Sequence, residues 1–344
     1  MTKPTYDSIL IVSFGGPEGP DDVMPFLENV LRGKNVPRER MLEVAEHYNH
    51  FGGVSPINAQ NRDLIAALRT ELDSVDIGLP IYWGNRNWHP LLADTLGEMR
   101  EAGCQRAIAF FTSMFSCYSG CRQYRENIAT AQAAVGDGAP QVEKLRKAFN
   151  HPRFIAAQTE LARGALQAID AERRSSAMLL FTAHSIPLAM ATGSRYVEQL
   201  TEAAGLTAAA LGHAAWELVY QSRSGPPSQP WLEPDVCQRI EELALDEQQP
   251  IQDFVVVPLG FVSDHMEVLF DLDTEARATC ERLGVGFSRA ASVGTHPEFV
   301  RMIRELIQER IEGWSERPAL GKLGPSHDVC PVDCCLYTRP ARQA

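Results

Sequence analysis

The sequence predicts an α/β protein built in two halves, each a parallel sheet with helices as its crossovers. Three observations carry this. Short apolar runs alternate with segments of helical periodicity along most of the chain. The alternation breaks at the Gly-Asp-Gly-Ala-Pro stretch 136–140 and restarts near Met178. Several apolar runs also end abruptly in polar or glycine-bearing sequence, as parallel strands do at the sheet edge where α/β folds place ligands.

In the first half, strands are expected at 8–13, 81–88 including the exit, and 106–112. Helices are expected at 21–32, 39–47, 58–72, 91–101 and 122–134. Asp21 and Asp22 supply a helix start, and Phe14-Gly15-Gly16-Pro17 breaks the first strand. That Gly-Gly pair stands in neither G-x-G-x-x-G nor a Walker motif, so a dinucleotide site is set aside. Segment 141–169 reads as mostly helical, a bridge to the second half. There, strands are expected at 178–182, 214–221, 254–262 and 286–290. Helices are expected at 195–211, 236–244, from the caps Ser263-Asp264 to about 283, and 297–314. Strand exits from both halves are expected to face one cleft.

Composition excludes several functions. The chain has 344 residues and a formal net charge of −12, against the basic face of a nucleic-acid binder. No apolar stretch approaches the roughly 20 residues of a spanning helix. The first apolar run is one strand long and leads into a glycine turn, unlike a signal peptide, so a cytoplasmic protein is expected. Eight cysteines in a reducing compartment, five of them at 117, 121, 330, 334 and 335, suit a metal or iron–sulfur site better than disulfides. Cys104, Cys237 and Cys280 stand alone and read as small hydrophobes.

The densest chemistry lies in residues 253–275. His265 opens the helix after the strand, and Glu267, Asp271 and Glu275 follow at i, i+4, i+8. Like charges at that spacing repel. A solvated face relieves the repulsion; so does a divalent cation with oxygen ligands. His184 closes another strand in the same half. With His265 and Glu267 it forms a set able to bind a first-row metal or accept protons near neutral pH. Trp83, Arg86 and Trp88 at a strand exit suit either a cleft or core packing. The cysteines at 117/121 and 330–335 can hold zinc or an iron–sulfur cluster.

Six stretches, in order, together resemble the ferrochelatase family: SFGGPEGPDDVMPFLENV, HFGGVSPIN, GNRNWHP, FTAHSIP, YQSRSGPPSQPWLEPDV and VPLGFVSDHMEVLFDLD. The resemblance covers nearly the whole chain. It is strongest to the bacterial branch with a cysteine-bearing C-terminus, which generally uses coproporphyrin III; other branches use protoporphyrin IX. It implies a lyase that inserts Fe²⁺ into a porphyrin, with release of two protons, in haem synthesis. It implies two doubly wound, Rossmann-like domains, each with a four-stranded parallel sheet, and a porphyrin cleft between them. The lobes are expected at 1–160, completed by the helix at 297–316, and at 161–296, with a cysteine-bearing tail at 317–344.

By the same resemblance, His184 binds metal or takes pyrrole protons, Glu267 faces it across the macrocycle, and His265 supports the glutamate. Asp271 and Glu275 pass iron inward along a helix with a wide turn. Phe14, His50, Ser55, Tyr118 and Trp231 fall at porphyrin-binding positions. Phe14 excludes an axial tyrosine, and Asn49-His50 stand where some relatives have arginines. A [2Fe-2S] cluster is implied on Cys330, Cys334, Cys335 and one internal cysteine, Cys121 being favoured and Cys117 the alternative. Partners are the porphyrin and ferrous iron, with room for a transient contact with a membrane or a haem-pathway enzyme. The rival readings are a chelatase for another metal and tetrapyrrole, and a non-catalytic haem- or iron-binding protein.

Overall fold

The computed structural model describes residues 5–33, 36–226 and 228–337. Residues 338–344 of the expected tail lie outside the described residues. Strands β1 (Ser8–Ser13), β2 (Ile81–Asn85), β3 (Arg106–Phe111) and β4 (Gln141–Lys144) form one parallel sheet in the order β2-β1-β3-β4. Strands β5 (Met178–His184), β6 (Trp216–Gln221), β7 (Asp253–Val257) and β8 (Gly286–Arg289) form a second in the order β6-β5-β7-β8. The strand order is the same in both halves. Each order reverses between its first and third strands, and that reversal is where a doubly wound sheet opens a crevice.

The strands run apolar because both faces are covered. Val12, Leu180 and Val256 are fully buried. Helices α1 (Pro20–Val30), α2 (Arg38–His50), α3 (Ile57–Asp73), α4 (Leu92–Glu101) and α5 (Gln123–Val135) belong to the first half. Helix α6 (Pro152–Gln167) connects the halves: its Phe154 lies 6.3 Å from Phe115 of the first half and 6.3 Å from Phe299, ring centre to ring centre. The expected lobe boundary at residue 160 falls inside this helix. Helices α7 (Leu188–Thr192), α8 (Tyr196–Leu211), α9 (Val236–Ala244), α10 (Met266–Val268) and α11 (Arg277–Leu283) flank the second sheet. Helix α12 (Pro297–Gln308) packs on α3 and α6.

Four expectations are corrected. Residues Gln141–Lys144 are a strand and not part of a helix. The strand is polar and lies at a sheet edge, so it lacks an apolar run; its identity comes from pairing with β3. β7 ends at Val257 and not at 262, because Pro258 has no N–H for the ladder. Gly260 then crosses β5 so closely that a Cβ would stand 2.7 Å from the Cα of Ala183. β2 ends at Asn85: the last ladder bond to β1 is from the Arg86 N–H to Ser13 (3.0 Å), and the Asn85 N–H, on the open edge, donates to the Pro90 carbonyl (2.7 Å). The helix after β7 is capped by His265, whose Nδ1 accepts from the Glu267 N–H at 3.2 Å. Asp264 is unavailable as a cap because its carboxylate holds Arg289 (2.9 Å) and the Ser292 N–H (3.3 Å).

Three helices contain π turns, at Tyr118–Arg122 before α5, Leu269–Ala276 between α10 and α11, and Glu309–Gly313 after α12. The first carries Cys121. The second carries Asp271 and Glu275. π turns interrupt the regular i→i+4 ladder and occur often at functional sites.

Candidate active site

His184 is the last residue of β5, and its position is held from three sides. The Tyr196 hydroxyl donates to its carbonyl oxygen at 3.1 Å. β6 lies alongside, with Gln221 paired to His184 in the ladder. Its Nδ1 lies 2.5 Å from the Ser185 carbonyl oxygen. A carbonyl only accepts, so Nδ1 carries the proton and Nε2 presents a lone pair. Nε2 lies 3.7 Å from Oε2 of Glu267, and both side chains remain partly open to solvent. A base and a carboxylate therefore face the same space. His265 lies behind them. Burial, outweighing the neighbouring Glu267 carboxylate, holds its imidazole below the ordinary histidine range and so neutral.

The acidic row is real, and its members differ. Asp271 accepts from Gln221 Nε2 (3.2 Å) and from the Ser222 hydroxyl. Burial pushes Asp271 up to about 7, and the Glu267 and Glu275 carboxylates push the same way. Glu275 is exposed, yet partial burial and Asp235 raise it too. The row thus runs from an outer carboxylate, through one half-protonated near neutrality, to Glu267 beside His184. Gln221 and Ser222, the residues that hold Asp271, carry no signal in the sequence beyond ending a strand. Ser222 has a positive φ of 61°, a backbone state that costs a non-glycine residue energy and that sets the direction of its hydroxyl.

The first half closes over this space. The His47 ring stacks on Phe270 with centres 3.8 Å apart. Gln60 accepts from the Asp264 N–H at 2.8 Å. Tyr48 is close enough that the Glu267 charge helps burial raise its hydroxyl. Phe14, directly after β1, is 37% exposed, with the Arg86 guanidinium 5.7 Å from its ring centre. Gly15 behind it takes a φ of +82°, and a Cβ there would meet Asn85 at 2.9 Å. Ser55 is buried against Gly16, and His50 is exposed at the end of α2. Trp231 bridges Pro187, beside β5, and its buried indole N–H has no hydrogen-bond partner among the described residues. The Tyr118 hydroxyl donates to Glu126 at 2.9 Å, and its ring faces Tyr337 at 5.8 Å. Phe14 and Val54, outside the strands and helices, and Leu188, at the start of α7, each expose more than a third of their surface. Flat apolar ligands use such surface.

A second cluster forms where the tail returns to α5. The Cys121 thiol contacts those of Cys330 and Cys335. The Cys334 sulfur lies 3.7 Å from the Cys335 sulfur and 3.7 Å from Nε2 of His327. His327, Cys330 and Cys334 are close enough to share one metal ion. The contacts from Cys330 and Cys335, with Lys147 and Lys144, favour the Cys121 thiolate; the same contacts raise Cys330 and Cys335. Lys147 is buried, and its ammonium donates to the carbonyls of Ser113 and Gly120, the latter at 2.7 Å. Cys117 faces inward instead. Its sulfur accepts from the Gly120 N–H at 3.2 Å and caps the π turn. Cys104 and Cys280 are buried and Cys237 is half-buried, as small hydrophobes would be.

The fold is that of the chelatases. A structure of SirB from Bacillus subtilis with Fe³⁺ matches 90% of this chain and 98% of its own, with a TM-score of 0.54 at 11% identity. The family is narrower than the fold. The ferrochelatase family model matches residues 6–311. A ferrochelatase from Rhodopirellula baltica is 64% identical over 335 residues, covering 97% of this chain and 95% of the relative. A coproporphyrin III ferrochelatase from Nocardia farcinica is 49% identical over 348 residues, covering 97% and 98%. The chain belongs to the ferrochelatase family, and its reaction is the insertion of iron into a porphyrin in haem synthesis. It is therefore a lyase. Among the described residues, no helix is long and apolar enough to cross a membrane.

Proposed function

We propose that the chain inserts Fe²⁺ into coproporphyrin III between its two lobes, with His184 and Glu267 on the reacting macrocycle. The observation that carries the proposal is the placement of the His184 ring: Nδ1 lies against the Ser185 carbonyl, and Nε2 faces Glu267 at 3.7 Å. Metallation must remove two protons from the pyrrole nitrogens. His184 Nε2 accepts the first, and Glu267 beside it stabilises the imidazolium and takes protons onward. His265, neutral and hydrogen-bonded to the Glu267 N–H, fixes the start of that helix. Glu275 and Asp271 lead Fe²⁺ inward: burial and neighbouring carboxylates, which raise both groups, disfavour bare negative charge there, and a bound cation compensates that charge as a proton does. Phe14, Ser55, Tyr118 and Trp231 hold the ring, and His50 serves its propionates. A cleft that holds the ring off-planar spends binding energy on strain that metallation relieves.

The choice of porphyrin follows the Nocardia farcinica relative, whose similarity covers 97% of this chain. Coproporphyrin III carries propionates where protoporphyrin IX carries vinyl groups. The test is anaerobic Fe²⁺ insertion with each porphyrin. The reading requires kcat/KM for coproporphyrin III to exceed that for protoporphyrin IX by at least ~10-fold. Equal values, or the reverse order, refute it.

We infer also that Cys121, Cys330, Cys334 and Cys335 hold a [2Fe-2S] cluster. The donor set fits: four thiols converge, Cys121 is poised as a thiolate, and Lys144 and Lys147 oppose the negative charge. Bound there, the cluster supplies a rigid crosslink between α5 and the tail, because metal insertion transfers no electrons. Arg122 and Arg125 support the tail from the same helix, donating to the carbonyls of Val332 and Cys334. Free thiols with this chemistry suit a reducing compartment, so the cytoplasm is the proposed location.

A further inference from the structure

His327 has no place in a four-cysteine cluster, yet its imidazole stands in the same cup. The Cys334 sulfur lies 3.7 Å from both His327 Nε2 and the Cys335 sulfur. The donor atoms of His327, Cys330 and Cys334 all lie within 4.8 Å of one another. Tetrahedral zinc, with bonds of ~2.3 Å to sulfur and ~2.1 Å to nitrogen, sets neighbouring sulfurs about 3.8 Å apart and sulfur and nitrogen about 3.6 Å apart. The Cys334–His327 separation needs little adjustment, and Cys330 lies within 4.8 Å of both. Cys121 lies on the other side of the cup, against Cys330 and Cys335.

The backbone bearing these donors is fixed. Lys144 donates to the His327 carbonyl at 3.2 Å. Arg122 donates to the carbonyls of Val332 (2.7 Å) and Cys334 (3.2 Å). The Cys334 N–H closes a turn onto Pro331 at 3.1 Å. His327 is exposed while Cys335 is buried, so a cation has an open approach and a closed inner wall.

We propose that His327, Cys330 and Cys334 form a three-donor site for one thiophilic dication of the zinc class, with the fourth position left to water, a metal state of the tail distinct from the iron–sulfur cluster. Soft thiolates with an imidazole select such ions over Mg²⁺ or Ca²⁺. The site shares two thiols, Cys330 and Cys334, with the cluster but not Cys121, so one chain holds one or the other. It does not rest on the cluster reading. In either state the tail stays against the second lobe, where Gln229 donates to the Tyr337 hydroxyl at 3.2 Å.

The test uses the full-length chain, prepared anaerobically from iron-restricted, zinc-supplemented cells. Metal content is measured, and Co²⁺ is then exchanged in as a spectroscopic probe. One zinc per chain is expected, with the thiolate charge-transfer and visible bands of tetrahedral Co²⁺ bound by sulfur and nitrogen. His327→Ala should lower the affinity for both ions by ~10–100-fold or more, while protein from iron-replete cells keeps its iron–sulfur absorption. Cys121→Ser should do the opposite, losing that absorption and keeping the zinc and cobalt signals. Circular dichroism and melting curves confirm that each variant is folded. The proposal is overturned if folded His327→Ala binds Co²⁺ with unchanged affinity and spectrum, or if Cys121→Ser loses the cobalt signal as well. Zinc binding by a wild-type protein that never shows iron–sulfur absorption supports this site and sinks the cluster reading alone.

Discussion

Asp271→Asn should stabilise the iron-free protein in a pH-dependent way while damaging its use of iron. Burial, with Glu267 and Glu275, lifts Asp271 from 3.8 to about 7. A carboxyl raised in the folded state favours folding when protonated. Its contribution is complete below about 3.8 and is lost as the pH rises through about 7. The whole difference is about 4 kcal/mol at about 1.4 kcal/mol per pH unit. Water reaching the row reduces this, so about 2–4 kcal/mol is the working range. Asparagine carries no charge to desolvate, and the buried Gln221 Oε1, which has no partner, can accept from its amide. Urea unfolding of both proteins from pH 5 to pH 8, without iron, measures the gap. It should widen with pH and level off above about 7. The variant should also raise the apparent KM for Fe²⁺ and leave that for porphyrin unchanged. A gap independent of pH, or one that favours the wild type at pH 8, refutes the reasoning.

Two further predictions concern the tail and the buried ion pair that ties the end of α12 to the segment after β4. Cys117→Ser should retain the visible absorption of the iron–sulfur cluster and Cys121→Ser should lose it, because only Cys121 contacts the tail thiols. The reverse result assigns the internal ligand to Cys117. Glu309→Gln should cost about 3–5 kcal/mol in urea unfolding, since it leaves the Arg146 guanidinium buried without its carboxylate. The two now share a bidentate pair at 2.8 Å, with 1% and 3% of their side chains exposed. A loss below about 1 kcal/mol would place the pair among those that add little.

Much of this was legible in the chain because strands that end at a ligand edge announce themselves. Apolar runs stopping at His184 and ahead of His265 gave two strands of the second sheet and the proposed proton-accepting residues together. The five clustered cysteines likewise gave the second centre. What escaped notice depends on partners distant in sequence. Gln141–Lys144 is a strand because β3 lies beside it and not because of its own polar residues. Asp264 reads as a helix cap until Arg289 takes its carboxylate. Gln221 and Ser222 hold Asp271 only because β6 ends beside β5. His327 enters the thiol cluster through the tail, and Lys147 reaches it from the segment after β4. The spacing of Glu267, Asp271 and Glu275 suggested an even row. Burial and neighbouring carboxylates instead raise Asp271, to about 7, and Glu275, both carried on the π turn.

The account turns on His184 as the proton acceptor opposite Glu267. The direct measurement is single-turnover Fe²⁺ insertion into coproporphyrin III under anaerobic conditions, comparing wild type with His184→Ala and Glu267→Gln. The account predicts that each variant binds porphyrin with unchanged affinity and inserts iron at least ~100-fold more slowly. Insertion by folded His184→Ala within a few-fold of the wild-type rate would contradict it.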